Sequence, residues 1–240
     1  MKKSLLILTL LALSLIGRAQ SFEGVITYSV KFELNEEFLE MKDQLFEKLK
    51  KDGDYYDTLI IFIKNNHYKK IDNSANRKSV IYAPEQNTVY VLESGFDHAV
   101  LIDANKVTTL NLNLPEPSLH YVDSIKHITH IACDILKLSW EDLGEEWYFF
   151  NRDVATIDPK LFKNHNYNYL NTILNSTGSY PLEIVRSLDG MMSTTMTLVS
   201  IEEQELSDEL FKIPELKKAN KKMNELMGQV TGTQVMKIKN

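Results

Sequence analysis

Apolar and polar positions alternate with a period of two from Phe22 to Phe32. Phe22, Ile26, Tyr28, Val30 and Phe32 share one face, and Glu23, Thr27, Ser29 and Lys31 share the other, with Val25 the exception. This predicts a strand with one wet face, as in an antiparallel sheet. The period then lengthens. Phe38, Met41, Leu45, Phe46 and Leu49 recur at helical spacing. Asn35 stands as N-cap, Glu36 and Glu37 lie at the positive end, Lys48, Lys50 and Lys51 lie in the last turn, and Gly53 follows. The pattern predicts a helix over 36–51 with its apolar face packed on the sheet.

From Thr58 to Leu112 short apolar runs follow one another: Leu59–Ile63, Tyr68–Ile71, Val80–Tyr82, Val89–Leu92 and Ala99–Ile102. Turn-forming clusters separate them, at Asn65-Asn66, Asp72-Asn73-Ser74, Pro84–Asn87 and Gly95. Too little chain lies between them for parallel crossovers, so they form a meander. After Pro115 and Pro117, residues 127–140 and 145–150 flank the break Glu141–Gly144 and predict the central hairpin of the sheet. Asp158-Pro159 marks a short helix start, and residues 163–178 carry no period. Tyr180–Leu188 and Met191–Ile201 flank Asp189-Gly190 as a second hairpin. Ser207–Phe211 forms a short helical turn. A last amphipathic helix carries Leu216, Met223, Leu226 and Met227 and stops at Gly228.

The N-terminus changes the picture. Lys2 and Lys3 precede the apolar run Leu5–Ile16, and Gly17 and Ala19 place small residues before a cut after Ala19. This is the pattern of a secretory signal peptide over 1–19. The run falls short of the roughly 20 residues that span a bilayer, and no cysteine adjoins the cut to accept a lipid. The expected product is exported, periplasmic or extracellular, soluble and neither a lipoprotein nor membrane-spanning. A single domain over 20–228 and a loose polar tail over 229–240 complete the expected organisation. The net charge of -6 over 240 residues has no basic stripe, which argues against nucleic acid. Cys133 is the lone cysteine, so no internal disulfide forms and the fold rests on its core. Among Ile131, Ala132 and Ile135, Cys133 reads as a buried apolar side chain.

Candidate chemistry is sparse. His127, His130 and Cys133 have the residue types of a zinc site, but side chains alternate along a strand. His127 and Cys133 then point one way and His130 the other, so no metal site is expected. No nucleophile elbow, Ser-x-x-Lys, His-Glu-x-x-His or phosphate-cradling glycine loop is present. Glu145 with Glu146, and Glu202 with Glu203, read as solvated charge. No catalytic residue and no cofactor are expected. Aromatics carry more: Trp140, Trp147 and Phe149 are the candidate ligand-binding residues. The alternation fails over Trp147–Phe150, so that strand is covered on both faces, either by the protein itself or by an apolar ligand.

The segment Phe22-Glu-Gly-Val-Ile-Thr-Tyr28 directly after the cleavage region resembles exported Bacteroidetes proteins grouped as DUF4412 and the related GLPGLI family. Ile131-Ala-Cys133, Glu146-Trp-Tyr148, Tyr180-Pro-Leu182 and Leu210-Phe-Lys-Ile-Pro214 follow in the order those families show. The sequence departs from them where His130-Ile131-Ala132 replaces a glycine before the cysteine-bearing strand. The resemblance implies a LolA/LolB-like fold of the α+β class: a curved antiparallel half-barrel with a few helices on its concave side. It also offers Asp57-Thr58-Leu59 and Asp123-Ser124-Ile125 as O-glycosylation sites. It implies no known activity.

The expected function is non-enzymatic: an envelope protein holding a hydrophobic small molecule, a lipid or a lipoprotein acyl chain. The rivals are a structural module with an envelope protein partner and no cavity, and an envelope hydrolase with convergent polar groups in a cleft.

Overall fold

The computed structural model describes residues 21–95, 99–107, 116–141, 144–188, 190–215 and 221–222. The expected signal peptide over 1–19 lies outside these residues, as do the expected tail and the apolar residues expected to form a C-terminal helix. Element order is β1 (Gly24–Leu34), a 3-10 segment (Glu36–Met41), α1 (Lys42–Asp52), β2 (Thr58–Lys64), β3 (His67–Asp72), β4 (Ser79–Ala83), β5 (Thr88–Leu92) and β6 (Ala99–Asp103). Then come β7 (Ser118–Ile128), β8 (Ile131–Trp140), β9 (Gly144–Phe150), 3-10 turns at Pro159–Phe162 and Tyr167–Tyr169, and α2 (Leu170–Thr177). The chain continues through β10 (Glu183–Leu188), β11 (Met192–Glu203), a 3-10 turn (Asp208–Phe211) and β12 (Lys221–Lys222).

All the described strands belong to one unclosed 12-stranded sheet in the order β12-β6-β5-β4-β3-β2-β1-β11-β10-β9-β8-β7. The order exposes its construction. β1 to β6 form one antiparallel meander and β7 to β11 a second, and the seam between them is the antiparallel pair β1 and β11. Only β12 joins in parallel, against Val100 and Leu101. Lys221 and Lys222 are therefore extended where the sequence periodicity predicts helix.

The strands expected from alternation are present within three residues of their predicted ends, and the second hairpin forms as β10 and β11. The hairpin at 127–150 differs in two respects. It lies near one end of the sheet, and β1 with β11 occupies the middle. Residues 127–140 are also not one strand. Ile128 pairs with Ile131 across a two-residue turn, in which Thr129 and His130 take φ of 47° and 80°. Such turns require positive φ, a conformation that favours Gly and Asn. Neither stands here, which is why the turn is silent in the sequence.

The N-terminal helical segment forms with a 3-10 first half, and it ends at Gly53 in the left-handed conformation as predicted. Its packing differs from expectation, because neither half has a buried residue. Phe46 meets the Tyr55 ring at 5.8 Å, while Leu39 and Met41 stay exposed. Asn35 makes no cap; its side-chain amide donates to the Gly190 carbonyl. The segment thus lies beside the end of β1, outside the main core.

β1 shows how the core is filled. Ile26, Tyr28 and Val30 are buried on one face, opposite Ile61 and Leu59 of β2 and Leu198 and Met196 of β11. Gly24 begins the seam because a Cβ there would stand 2.0 Å from the Glu202 carbonyl oxygen. On the opposite face the Asp208–Phe211 turn packs on β3 and β4, and Phe211 meets His67 at 5.8 Å.

Candidate functional site

Strand register places Tyr28, Leu59, Ile61, Tyr68, Lys70, Val80, Val91 and Ile102 on one side of the first meander. Tyr148, Ile184, Arg186 and Met196 occupy the same side of the second. Together these residues form one face of the sheet. Residues His165 to Ile173, which carry no period in the sequence, fold over it through the 3-10 turns and α2. Their path turns on Asn168 and Tyr169, both left-handed at φ of 52° and 55°. Between sheet and cover lies a cavity of about 230 Å³.

The apolar part of its lining comes from Leu59, Val80, Val91 and Ile102 below and from Leu170 and Ile173 above. The polar part is concentrated around β3 and β10. Arg186 Nε stands 3.1 Å from Glu146 Oε1, and the Tyr148 hydroxyl donates to the other carboxylate oxygen. Burial alone would lower the Arg186 pKa, but the Glu146 carboxylate outweighs it and holds the guanidinium charged. Lys70 lies on the neighbouring strand system with its ammonium 5.0 Å from the Tyr68 ring centre. No carboxylate pairs with Lys70 among the described residues. Desolvation first, and the Arg186 charge second, push its pKa down to about 8. The Lys70 side chain keeps some accessible surface, and it opens on the cavity.

The other charges at the cavity are committed locally. Asp72 Oδ1 accepts from the backbone N–H of Ser74 at 3.1 Å and of Lys78 at 3.0 Å, and from the Ser74 hydroxyl. Lys78 pairs with Asp54 and approaches Glu93 at 3.9 Å. His165 is 1% exposed and walled by the rings of Tyr68, Tyr82, Phe162 and Tyr167. Its Nε2 shares a hydrogen bond of 2.9 Å with the Tyr68 hydroxyl, and its Nδ1 has no partner among the described residues. Burial and the Lys70 charge push its pKa down to about 4, so it is neutral near pH 7.

The three aromatics singled out from the sequence occupy different places. Trp140 is buried on the same face as Tyr148 and packs on Tyr169 at 5.4 Å between ring centres, beyond the cavity lining. Trp147 and Phe149 have the opposite parity to Tyr148 and face the other side of the sheet. Lys137 lies 4.7 Å from the Trp147 ring centre, and Lys126 lies 4.5 Å from that of Phe149. Lys126 is itself tied to the buried Glu183, whose other oxygen accepts from Thr197 at 2.9 Å. The second face of this strand is thus covered by lysine stems and their ion pairs. His127 and His130 are exposed and Cys133 is buried, so the three do not converge. Glu145 pairs outward with Lys137, whereas Glu146 is buried beneath Arg186, a correction to its reading as solvated charge.

Lys70, Arg186, His165 and the tyrosines escaped the sequence reading. A usable signal existed for two of them. Lys70 shares parity with Tyr68, and Arg186 with Ile184, so each is a cation on the apolar face of an alternating strand.

No family model and no curated protein matches the chain. Among solved structures it is similar to an uncharacterised conserved protein from Thermus thermophilus, at 7% identity and a TM-score of 0.46, covering 83% of this chain and 91% of that one. It is similar to PNGF-II at 8% identity and a TM-score of 0.46, covering 87% of this chain but 33% of that one. A LolA superfamily protein from Nitrosomonas europaea shows 9% identity and a TM-score of 0.36, covering 82% of this chain and 92% of that one. Likenesses of this size assign neither activity nor ligand. The features that stand on the chain's own geometry are the large unclosed antiparallel sheet and the covered cavity on one of its faces.

Proposed function

We propose that the protein is an exported, non-enzymatic binding protein of the cell envelope, a LolA-like half-barrel that holds a small hydrophobic ligand on the concave face of its sheet. The observation that carries this reading is the cavity itself. Apolar side chains from both meanders bound it below, Leu170 and Ile173 bound it above, and it stays open by about 230 Å³. Sheets whose inner face is merely a core are filled to crystal-like density and leave few voids larger than a water. At roughly 30 Å³ per water, this space matches about eight waters, or a short acyl chain. A complete lipoprotein anchor would need the cover formed by residues 165–173 to move.

Chemistry at the cavity supports binding over catalysis. The buried His165 partners a tyrosine, and no Ser, Thr or Cys side chain bonds to it among the described residues. Export rests on the Lys2–Ala19 pattern, and a place near the DUF4412 and GLPGLI proteins rests on the short motifs from Phe22 to Pro214.

Native mass spectrometry of the protein purified from its own host tests the reading. An adduct with the mass of a small apolar molecule, and uptake of a fluorescent fatty acid after its removal, are expected. A protein that is empty as isolated and takes up no such probe would refute it.

A second reading has its own observation. Among the described residues β7 is an edge strand of the sheet, with Leu119 40%, Tyr121 59% and Ile125 63% exposed. Edge strands pair readily with other chains, which suits docking to an envelope protein. Crosslinking from position 125 in cells would recover that partner.

A further inference from the structure

The cavity's polar corner has more hydrogen-bond donors than acceptors. Lys70 brings an ammonium with no carboxylate partner among the described residues, on the same lining as Arg186. Tyr56 and Tyr180 also line the cavity, and neither hydroxyl has a hydrogen-bond partner among the described residues. Lys70, Arg186, Tyr56 and Tyr180 all belong to the lining of this one cavity. One of the two cations is balanced, by Glu146; Asp72 is engaged by its own turn, and Lys78 by Asp54 and Glu93. A lysine kept desolvated without a counter-ion costs stability, and such costs gather where a ligand supplies the missing charge. Ammonium, guanidinium and phenol groups are all donors to an oxyanion, and Lys and Arg have no acceptor at all.

We propose that the ligand is an amphiphile with an anionic head, a carboxylate or a phosphate monoester, held by Lys70, Arg186, Tyr56 and Tyr180, with its short apolar tail against Ile102 and Ile173. The inference rests on the cavity being a binding site and adds the chemical class of what enters it. Arg186 is a positioning cation already paired to Glu146. Lys70 is the group whose charge the head neutralises.

The test is calorimetric titration at pH 7 of the protein purified from its host and stripped of bound small molecules. The probes are octanoate, octyl phosphate, octanol and octyltrimethylammonium, which share a tail and differ in head. Charge-assisted hydrogen bonds predict that an anionic probe binds about tenfold or more tightly than octanol. Whichever of octanoate and octyl phosphate binds more tightly identifies the head. Lys70→Met should bring the anion-to-octanol affinity ratio close to one, and Lys70→Arg should restore most of it. A urea midpoint for Lys70→Met no lower than that of the wild type shows that the fold is intact. Octanol binding as tightly as both anions, tighter binding of the ammonium probe, or an unchanged ratio in Lys70→Met would each overturn the inference while leaving the cavity a binding site. No binding of any of the four probes would overturn both.

Discussion

Acidification should destabilise this protein through one histidine. His165 is enclosed by aromatic rings, bonded to Tyr68 and close to the Lys70 charge, and its pKa is pushed down to about 4. In the unfolded chain it returns to about 6.5. The unfolded state therefore binds the proton first as pH falls, and folding stability is lost between about pH 6.5 and pH 4. Linkage over that interval gives a loss from this residue of about 2 kcal/mol by pH 5 and about 3 kcal/mol by pH 4, relative to pH 8. His67, His120, His127 and His130 lie outside this enclosure, and a variant isolates the contribution of His165. Urea unfolding of wild type and His165→Gln, measured from pH 8 to pH 5, is the assay. The variant will be less stable throughout, since it loses ring contacts. Its pH slope should nevertheless be shallower, by about 2 kcal/mol over the range. Parallel slopes, within about 0.5 kcal/mol, would refute the placement of a neutral histidine in this pocket.

Other outcomes follow from the same geometry. Lys70 has a folded-state pKa of about 8, below its ordinary value near 10.4, so keeping it charged at pH 7 opposes folding. Discounted for its partial exposure to the cavity, Lys70→Met should raise stability by about 1–2 kcal/mol at pH 7 in urea titrations. Gly24→Ala should destabilise by about 2–3 kcal/mol, because the Glu202 carbonyl at 2.0 Å belongs to the seam strand and cannot swing aside; circular dichroism melts check this. The Cys133 thiol is fully buried, and burial pushes its pKa up, so thiol-reactive dyes should label it only at the rate of unfolding.

Much of the sheet could be read from the sequence because alternation and turn chemistry agree in β1 to β6. Asn65 and Asn87 sit at turns with positive φ, as their side chains favour. The reading failed where turn chemistry was unusual, at Thr129-His130, and where helical spacing had no sheet beneath it, at Leu39 and Met41. The site was largely hidden for a different reason. Periodicity reports which face a residue occupies and says nothing about which faces meet across the seam of β1 and β11. Lys70 and Arg186 lie 116 positions apart and share a cavity only because that seam forms. The tryptophans drew notice as rare residues, yet parity alone turns Trp147 outward once Tyr148 is known to face in.

The proposed ligand-binding function depends on a ligand entering between the sheet and residues 165–173. Methyl-resolved NMR with isoleucine labels, recorded while octanoate is added, addresses that entry directly. Shifts are expected at Ile61, Ile102, Ile173 and Ile184, which line the cavity, with Ile60, Ile71 and Ile135 on the other face unmoved. Shifts centred on Ile125 at the β7 edge, or none at the cavity methyls, would show that no ligand enters there.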